Sequence, residues 1–195
     1  MEKVSSQQQQ PGQEDAAASG AFDSLLYNLF QPPRSKTLNS VVIAFTSASR
    51  GEGVTHVVCS LSQAMRRKSM PRAIQVDMDW LKSQSSPTAR PTSSANVQLG
   101  SGWKSSWELP GSLLQQLRSR FQYVAIDCPA LSASNDVLSL AKLVDGIVLV
   151  VEAQRTSKSQ IRNAERQIEA AGGRVLGSIL NKRRYPIPDY FYNLL

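Results

Sequence analysis

Five short apolar runs stand out along the chain: Val41-Val42-Ile43-Ala44-Phe45, Ala73-Ile74-Gln75-Val76, Tyr123-Val124-Ala125-Ile126, Gly146 to Val151, and Val175 to Leu180. Their length and β-branched content read as strands, the first short and apolar enough to be buried on both faces. Between them the apolar positions change to helical spacing. Phe22, Leu25, Leu26, Leu29 and Phe30 mark a helix that Pro32 and Pro33 stop. Val58, Leu61, Ala64 and Met65 mark a second, and Leu113, Leu114 and Leu117 a third after Gly111. Val137, Leu138, Ala141 and Val144 suggest a fourth. Ser157 to Ala171 is a long helix with Ile161, Ala164 and Ile168 inward, closed by Gly172-Gly173. Strands alternating with helices predict an α/β fold, a doubly wound, mostly parallel sheet with helices on both faces.

The pattern fails in three places. Residues 1–20 are rich in Gln, Ala and Ser and are expected to be disordered. Residues 82–106, rich in Ser, Thr and Pro, are expected to form a loose connection. Residues 185–195 form a tyrosine-containing tail. A single domain over 21–184 remains, a size suited to one core.

Composition narrows the function classes. Hydrophobic residues make up 41% and charged residues 19%, an ordinary globular balance. Net charge is +7, and the first twenty residues contribute −2, so the body carries +9. Such a body suits an acidic partner, acidic lipid or nucleic acid. No Lys/Arg stripe with interleaved aromatics is present, so nucleic acid is not expected. Cys59 and Cys128 form no CxxC pair, and His56 is the one histidine, which argues against zinc. Met1 to Gly20 lacks the apolar core of a signal peptide, and no apolar stretch reaches about 18 residues. The expectation is a cytoplasmic protein that reaches a membrane only through a partner.

The candidate polar residues all follow strands, where ligands of open α/β sheets bind. The first strand runs into Thr46-Ser47-Ala48-Ser49-Arg50-Gly51-Glu52-Gly53-Val54-Thr55, a glycine-containing turn that starts a helix. Such a turn can aim backbone N–H groups and a helix dipole at a phosphate. Thr55 would supply a hydroxyl to magnesium, but the lysine usual before it is Val54 here. By itself the turn is equally readable as a plain strand-to-helix connection. Asp77 and Asp79 end the second strand, and Asp127 ends the third, just before Cys128-Pro129. Each alone reads as a turn former or cap. In this order behind the loop they read as a nucleotide site, with Asp127 as a Walker-B acid holding magnesium.

Thr46, Ser47, Ala48, Gly51, Glu52, Gly53 and Thr55, then Val76-Asp77-Met78-Asp79, then Tyr123, Asp127 and Pro129, resemble the ordered motifs of the bacterial tyrosine kinases. These are the cytoplasmic kinases of capsule and exopolysaccharide synthesis, within the MinD/ParA-like P-loop group. The likeness continues through Ser134-Asn135-Asp136, Leu143-Val144-Asp145-Gly146, Val150-Val151, Thr156 and Leu176 to Asn181. The resemblance implies ATP and Mg2+ as cofactors, bound weakly if the missing lysine is not replaced. It assigns nucleotide binding to the loop from Arg50 through Gly51, Glu52, Gly53, Val54 and Thr55 to His56, and adenine contact to Asn181. It assigns metal binding to Thr55, Asp127 and Asp77, and catalysis to Asp77 and Asp79. It makes Tyr185, Tyr190 and Tyr192 phosphoacceptor candidates, with tail packing as the other reading. The implied partner is the cytoplasmic part of a membrane polysaccharide chain-length or co-polymerase protein, and the implied assembly a homo-oligomer.

The chain departs from the family at four points. The Walker lysine is Val54, and a unit charge about 4 Å from phosphate is worth on the order of 4 kcal/mol at an effective dielectric near 20. The signature lysine of MinD/ParA proteins is Ser49, the first helix lacks the arginines of ring assembly, and the segment between Asp79 and Asp127 is short. These departures favour a weakened or inactive regulatory subunit, a pseudokinase. The alternatives are an active MgATP-dependent autophosphorylating tyrosine kinase and a MinD/ParA-like ATPase switch.

Overall fold

The computed structural model describes residues 12–30, 40–70, 72–84 and 110–183. Five strands form one sheet in the order β2-β3-β1-β4-β5, every neighbouring pair parallel. They are β1 (Val41–Ser47), β2 (Ala73–Asp77), β3 (Tyr123–Asp127), β4 (Gly146–Glu152) and β5 (Val175–Asn181). All five predicted runs are strands. The helices are α1 (Gly12–Leu29), α2 (Val54–Arg67), α3 (Met78–Gln84), α4 (Pro110–Arg120), α5 (Asp136–Leu140) and α6 (Lys158–Ala170).

Alternation along the strands divides the core in two. Val42 and Ala44 of β1, Val124 and Ile126 of β3, and Leu149 of β4 face one layer, where α3, α4, α5 and α6 pack. Ile43 and Phe45, Ala125, and Val148 and Val150 face the other, where α1 and α2 pack. Because the side-chain period is two, a slip of one residue would exchange these faces, so the two cores fix the register. Central β1 and β4 are buried along nearly their whole length. Edge strand β5 is largely exposed, with Leu180 at 58%.

Three expectations need correction. Helix α1 begins at Gly12, inside the stretch expected to be disordered, although its core contacts are the predicted Leu26 and Phe30. The Phe30 ring meets Tyr123 edge-on at 5.7 Å, and Asp23 pairs with Lys68 at 2.9 Å, so α1 is tied to the start of β3 and the end of α2. Helix α3 was not predicted, and it takes 82–84 out of the loose connection; it has under two turns, too few for a period to show. It forms because Asp77 Oδ1 caps it, accepting the Trp80 N–H at 2.5 Å, while Met78, Trp80 and Leu81 enter the core. Helix α5 stops at Leu140, and a turn carries the chain to Asp145. The Asp145 carboxylate accepts from the Val42 N–H at 2.7 Å and from Arg118 at 2.8 Å, which locks the approach to β4 against β1 and α4.

Helix α6 matches its prediction and is closed at the start by a capping box, in which Ser157 and Gln160 satisfy each other's backbone N–H. Among the described residues no helix is long and apolar enough to cross a membrane.

Candidate functional site

Every strand ends on a polar residue at the same edge of the sheet: Ser47, Asp77, Asp127, Glu152 and Asn181. Parallel pairing makes this inevitable, because it brings all five C-terminal ends together. Register places Asp127 opposite Asp77 on one side and Phe45 on the other. An open cleft of about 550 Å³ lies over this edge, lined by the loop from Arg50 to Thr55 together with Asp77, Asp79 and Asp127.

The loop has the backbone of an anion cradle. Gly51 and Gly53 have φ of 83° and 94°, which side-chain-bearing residues rarely adopt. Gly53 meets a second requirement as well, since a Cβ there would lie 2.2 Å from Asn181 Nδ2. It is the N-cap of the 14-residue α2, and no side chain caps that helix. The first-turn N–H groups of α2 therefore have no side-chain partner and, with the helix dipole, suit an anion.

Beside this cradle stands a set of hard oxygen donors. Asp127, Asp77 and the Thr55 hydroxyl converge from β3, β2 and α2. Burial pushes the Asp127 carboxyl above its ordinary range; the Thr55 hydroxyl bonded to it opposes the shift, and the Asp77 charge adds to it. A divalent cation would relieve that repulsion, and two carboxylates with a hydroxyl are the donor types that Mg2+ takes. The set fits the ion only with oxygens from a nucleotide or water, because no cluster of three or more His, Cys, Asp or Glu suited to a metal exists among the described residues. Asp77 would share its oxygens between this duty and the α3 cap.

The phosphate side differs. Val54, where the lysine is missing, is 8% exposed and packs with Val57 and Val58 against β1. Glu52 is buried at 2% exposure, and its carboxylate accepts from the Ala48 N–H at 3.1 Å and from the Thr156 hydroxyl. That side chain fastens the loop to the β4–α6 turn. Asn181 Nδ2 donates to the Glu52 carbonyl at 2.9 Å, so the amide predicted to read adenine is committed to the loop. Lys182 Nζ donates to the Gly51 carbonyl and lies 3.3 Å from Glu152. Arg50 lines the cleft, exposed, with no ion pair among the described residues. His56 is exposed on α2 and does not line the cleft.

Of the predicted residues, the structure brings together Arg50 to Thr55, Asp77, Asp79 and Asp127. Tyr185, Tyr190 and Tyr192 lie outside the described residues. Sequence reading gave Thr156 no role and passed over Lys182. Only the position of Lys182 directly after Asn181 hinted at it.

No protein-family model matches the chain. A putative tyrosine-protein kinase CapB of Staphylococcus aureus is 32% identical over 71 residues, covering 36% of this chain and 31% of that protein. Tyrosine-protein kinase CpsD of Streptococcus agalactiae is 25% identical over 180 residues, covering 76% and 78%. Among solved structures, the kinase domain of VpsO superposes with a TM-score of 0.63 at 22% identity, covering 88% of this chain and 97% of that one. At that identity the superposition speaks for the fold alone, which is the P-loop α/β fold expected from the sequence.

Proposed function

We propose that this chain, a relative of the bacterial tyrosine kinases of capsule and exopolysaccharide synthesis, is a regulatory subunit of that process with weakened or absent kinase chemistry. One observation carries the proposal. Val54 sits at the first helical position of α2 with its side chain packed into the core, and among the described residues no cation but the exposed Arg50 lines the cleft. Lys182 is bound to the Gly51 carbonyl and to Glu152, and Lys82 is bound to Asp136. Arg50 is exposed and lines the cleft immediately before the first glycine of the loop.

In this reading the chain binds MgATP weakly. The α2 N-terminus and the loop amides receive the phosphates. Asp127, Thr55 and Asp77 would hold Mg2+, which would neutralise phosphate charge when bound. Glu52, Thr156 and Asn181 hold the loop shape. The chain works from the cytoplasmic side, docked on the cytoplasmic part of a membrane chain-length or co-polymerase protein. A transport protein of succinoglycan biosynthesis from Rhizobium meliloti, 38% identical over 71 residues that make up 9% of its length, supports that setting.

Retention of Thr55, Asp77, Asp79 and Asp127 around one cleft favours a second reading, an active kinase that phosphorylates Tyr185, Tyr190 or Tyr192. Calorimetric titration of the purified chain with MgATP, followed by detection of phosphotyrosine, separates the two. The regulatory reading expects weak or absent affinity and no phosphotyrosine. Phosphotyrosine that appears with MgATP and is lost in Asp77→Asn would overturn it.

A further inference from the structure

The end of the sheet opposite the cleft carries the charge that the composition left unexplained. Arg66, Arg67 and Lys68 close α2, whose C-terminus points to this end. Arg72 immediately precedes β2, Lys142 lies in the turn before β4, and Arg174 immediately precedes β5. Arg118 and Arg120 close α4 here. Among the described residues the acids at this end are Asp23, Asp145 and Glu169.

Short contacts link the bases of α4 and of the turns before β2, β4 and β5. The Arg72 guanidinium donates to the Arg120 carbonyl at 2.5 Å and to the Ser119 carbonyl at 2.7 Å. Arg118 donates to the Leu143 carbonyl at 3.0 Å. The Lys142 stem lies over Gly172, two residues before Arg174. Among the described residues the bases at this end outnumber the acids. Asp23 serves both Arg67 and Lys68, Asp145 serves Arg118, and Arg72 is held by carbonyls, which leave its charge intact. All of these bases except half-buried Arg118 are exposed. Tyr27 stands 68% exposed on α1 beside Lys68, an aromatic at the rim of a basic field.

We infer that this basic end of the sheet is a binding surface for an anionic phospholipid bilayer, so that the chain touches the membrane directly as well as through any partner. The bases come from the ends of α2 and α4 and from the turns before β2, β4 and β5, and so spread across the whole end of the sheet. That breadth matches a plane of diffuse negative charge better than one acidic peptide, and an exposed tyrosine at its border suits the headgroup region. Among the described residues no row of aromatics accompanies it, which disfavours nucleic acid. Bound this way, the molecule turns the nucleotide cleft away from the membrane, open to the cell interior. The inference does not depend on nucleotide chemistry and stands or falls separately from it.

Sedimentation of the full chain with phosphatidylcholine vesicles, with and without phosphatidylglycerol, tests it in the absence of nucleotide. The chain should pellet only with phosphatidylglycerol at about 0.1 M salt and be released near 1 M, where the Debye length falls to about 3 Å. Each neutralised base should weaken binding about fivefold, so R66Q/K142Q/R174Q should lose roughly a hundredfold. R155Q/K158Q, at the cleft end, should lose far less. If the triple variant fails to melt cooperatively by circular dichroism, the single reversal Arg174→Glu takes its place and should weaken binding at least fivefold. Equal pelleting with both vesicle compositions, undiminished binding by the variants, or retention of a duplex oligonucleotide without retention on vesicles would overturn the inference.

Discussion

On the β2–β3 side of the cleft, Asp77 and Asp127 face the Thr55 hydroxyl and offer oxygen donors of the kind Mg2+ takes, and Asp127 bears a raised proton affinity as the cost of burial. On the α2 side, the turn, its two left-handed glycines and the uncapped helix start are equally complete, yet the residue that should carry the charge is apolar and packed. The two sides differ in what maintains them. The glycines and Glu52 are needed for the fold of the loop whether or not a nucleotide binds, because Asn181 and Thr156 lean on them. A lysine at position 54 would contribute only to a ligand. Loss of that charge with retention of the loop therefore separates residues that shape the site from the one that serves its chemistry.

Restoring the charge tests this contrast most severely. Val54→Lys should raise MgATP affinity by up to roughly a thousandfold, the factor that corresponds to about 4 kcal/mol, measured by calorimetry. No change would mean that the cradle itself is not competent. Gly53→Ala attacks the loop from the other direction. It combines a left-handed backbone with a Cβ placed 2.2 Å from Asn181 Nδ2, and should cost about 3 kcal/mol, a fall in Tm of roughly 6–12 °C. Thr156→Val should leave one oxygen of the buried Glu52 carboxylate without its hydroxyl donor and cost about 1–3 kcal/mol by urea denaturation.

The smallest effect should have opposite signs on the two properties. Asp127→Asn removes a half-buried carboxylate whose proton affinity is raised by folding, so in EDTA at neutral pH it should stabilise the fold by on the order of 1 kcal/mol. The direction follows from linkage. A folded-state pKa above the unfolded value of about 3.9 makes ionisation cost stability. Parent and variant should match at pH values below the unfolded pKa, and the gap should open as pH rises through the raised one. The same variant should weaken Mg2+-dependent nucleotide binding, and a fall in stability instead would show that Asp127 belongs to the fold and not to a metal.

The strands were legible because each is a short apolar run bounded by polar residues, and the loop because Gly51, Gly53 and Thr55 keep fixed spacing behind β1. The aspartates were legible as strand ends, and parallel pairing then had to gather them. Helix α3 was not, since it depends on an Asp77 cap and on Trp80 finding the core. Nor was the reach of α1 back to Gly12, whose anchor lies in its contacts with Lys68 and Tyr123.

By itself the sequence determined the parallel α/β fold, the order of its elements and the loss of the loop lysine, because periodicity, turn residues and residue identity are properties of neighbours along the chain. The tertiary structure decided that Glu52 faces inward to Thr156, 104 positions away, that Asn181 supports the loop, and that Lys182 is bound at Gly51. It also decided that bases scattered from Arg66 to Arg174 share one end of the sheet. These relations join residues brought together only when the strands stack side by side, and no local pattern encodes a contact between such distant parts of the chain.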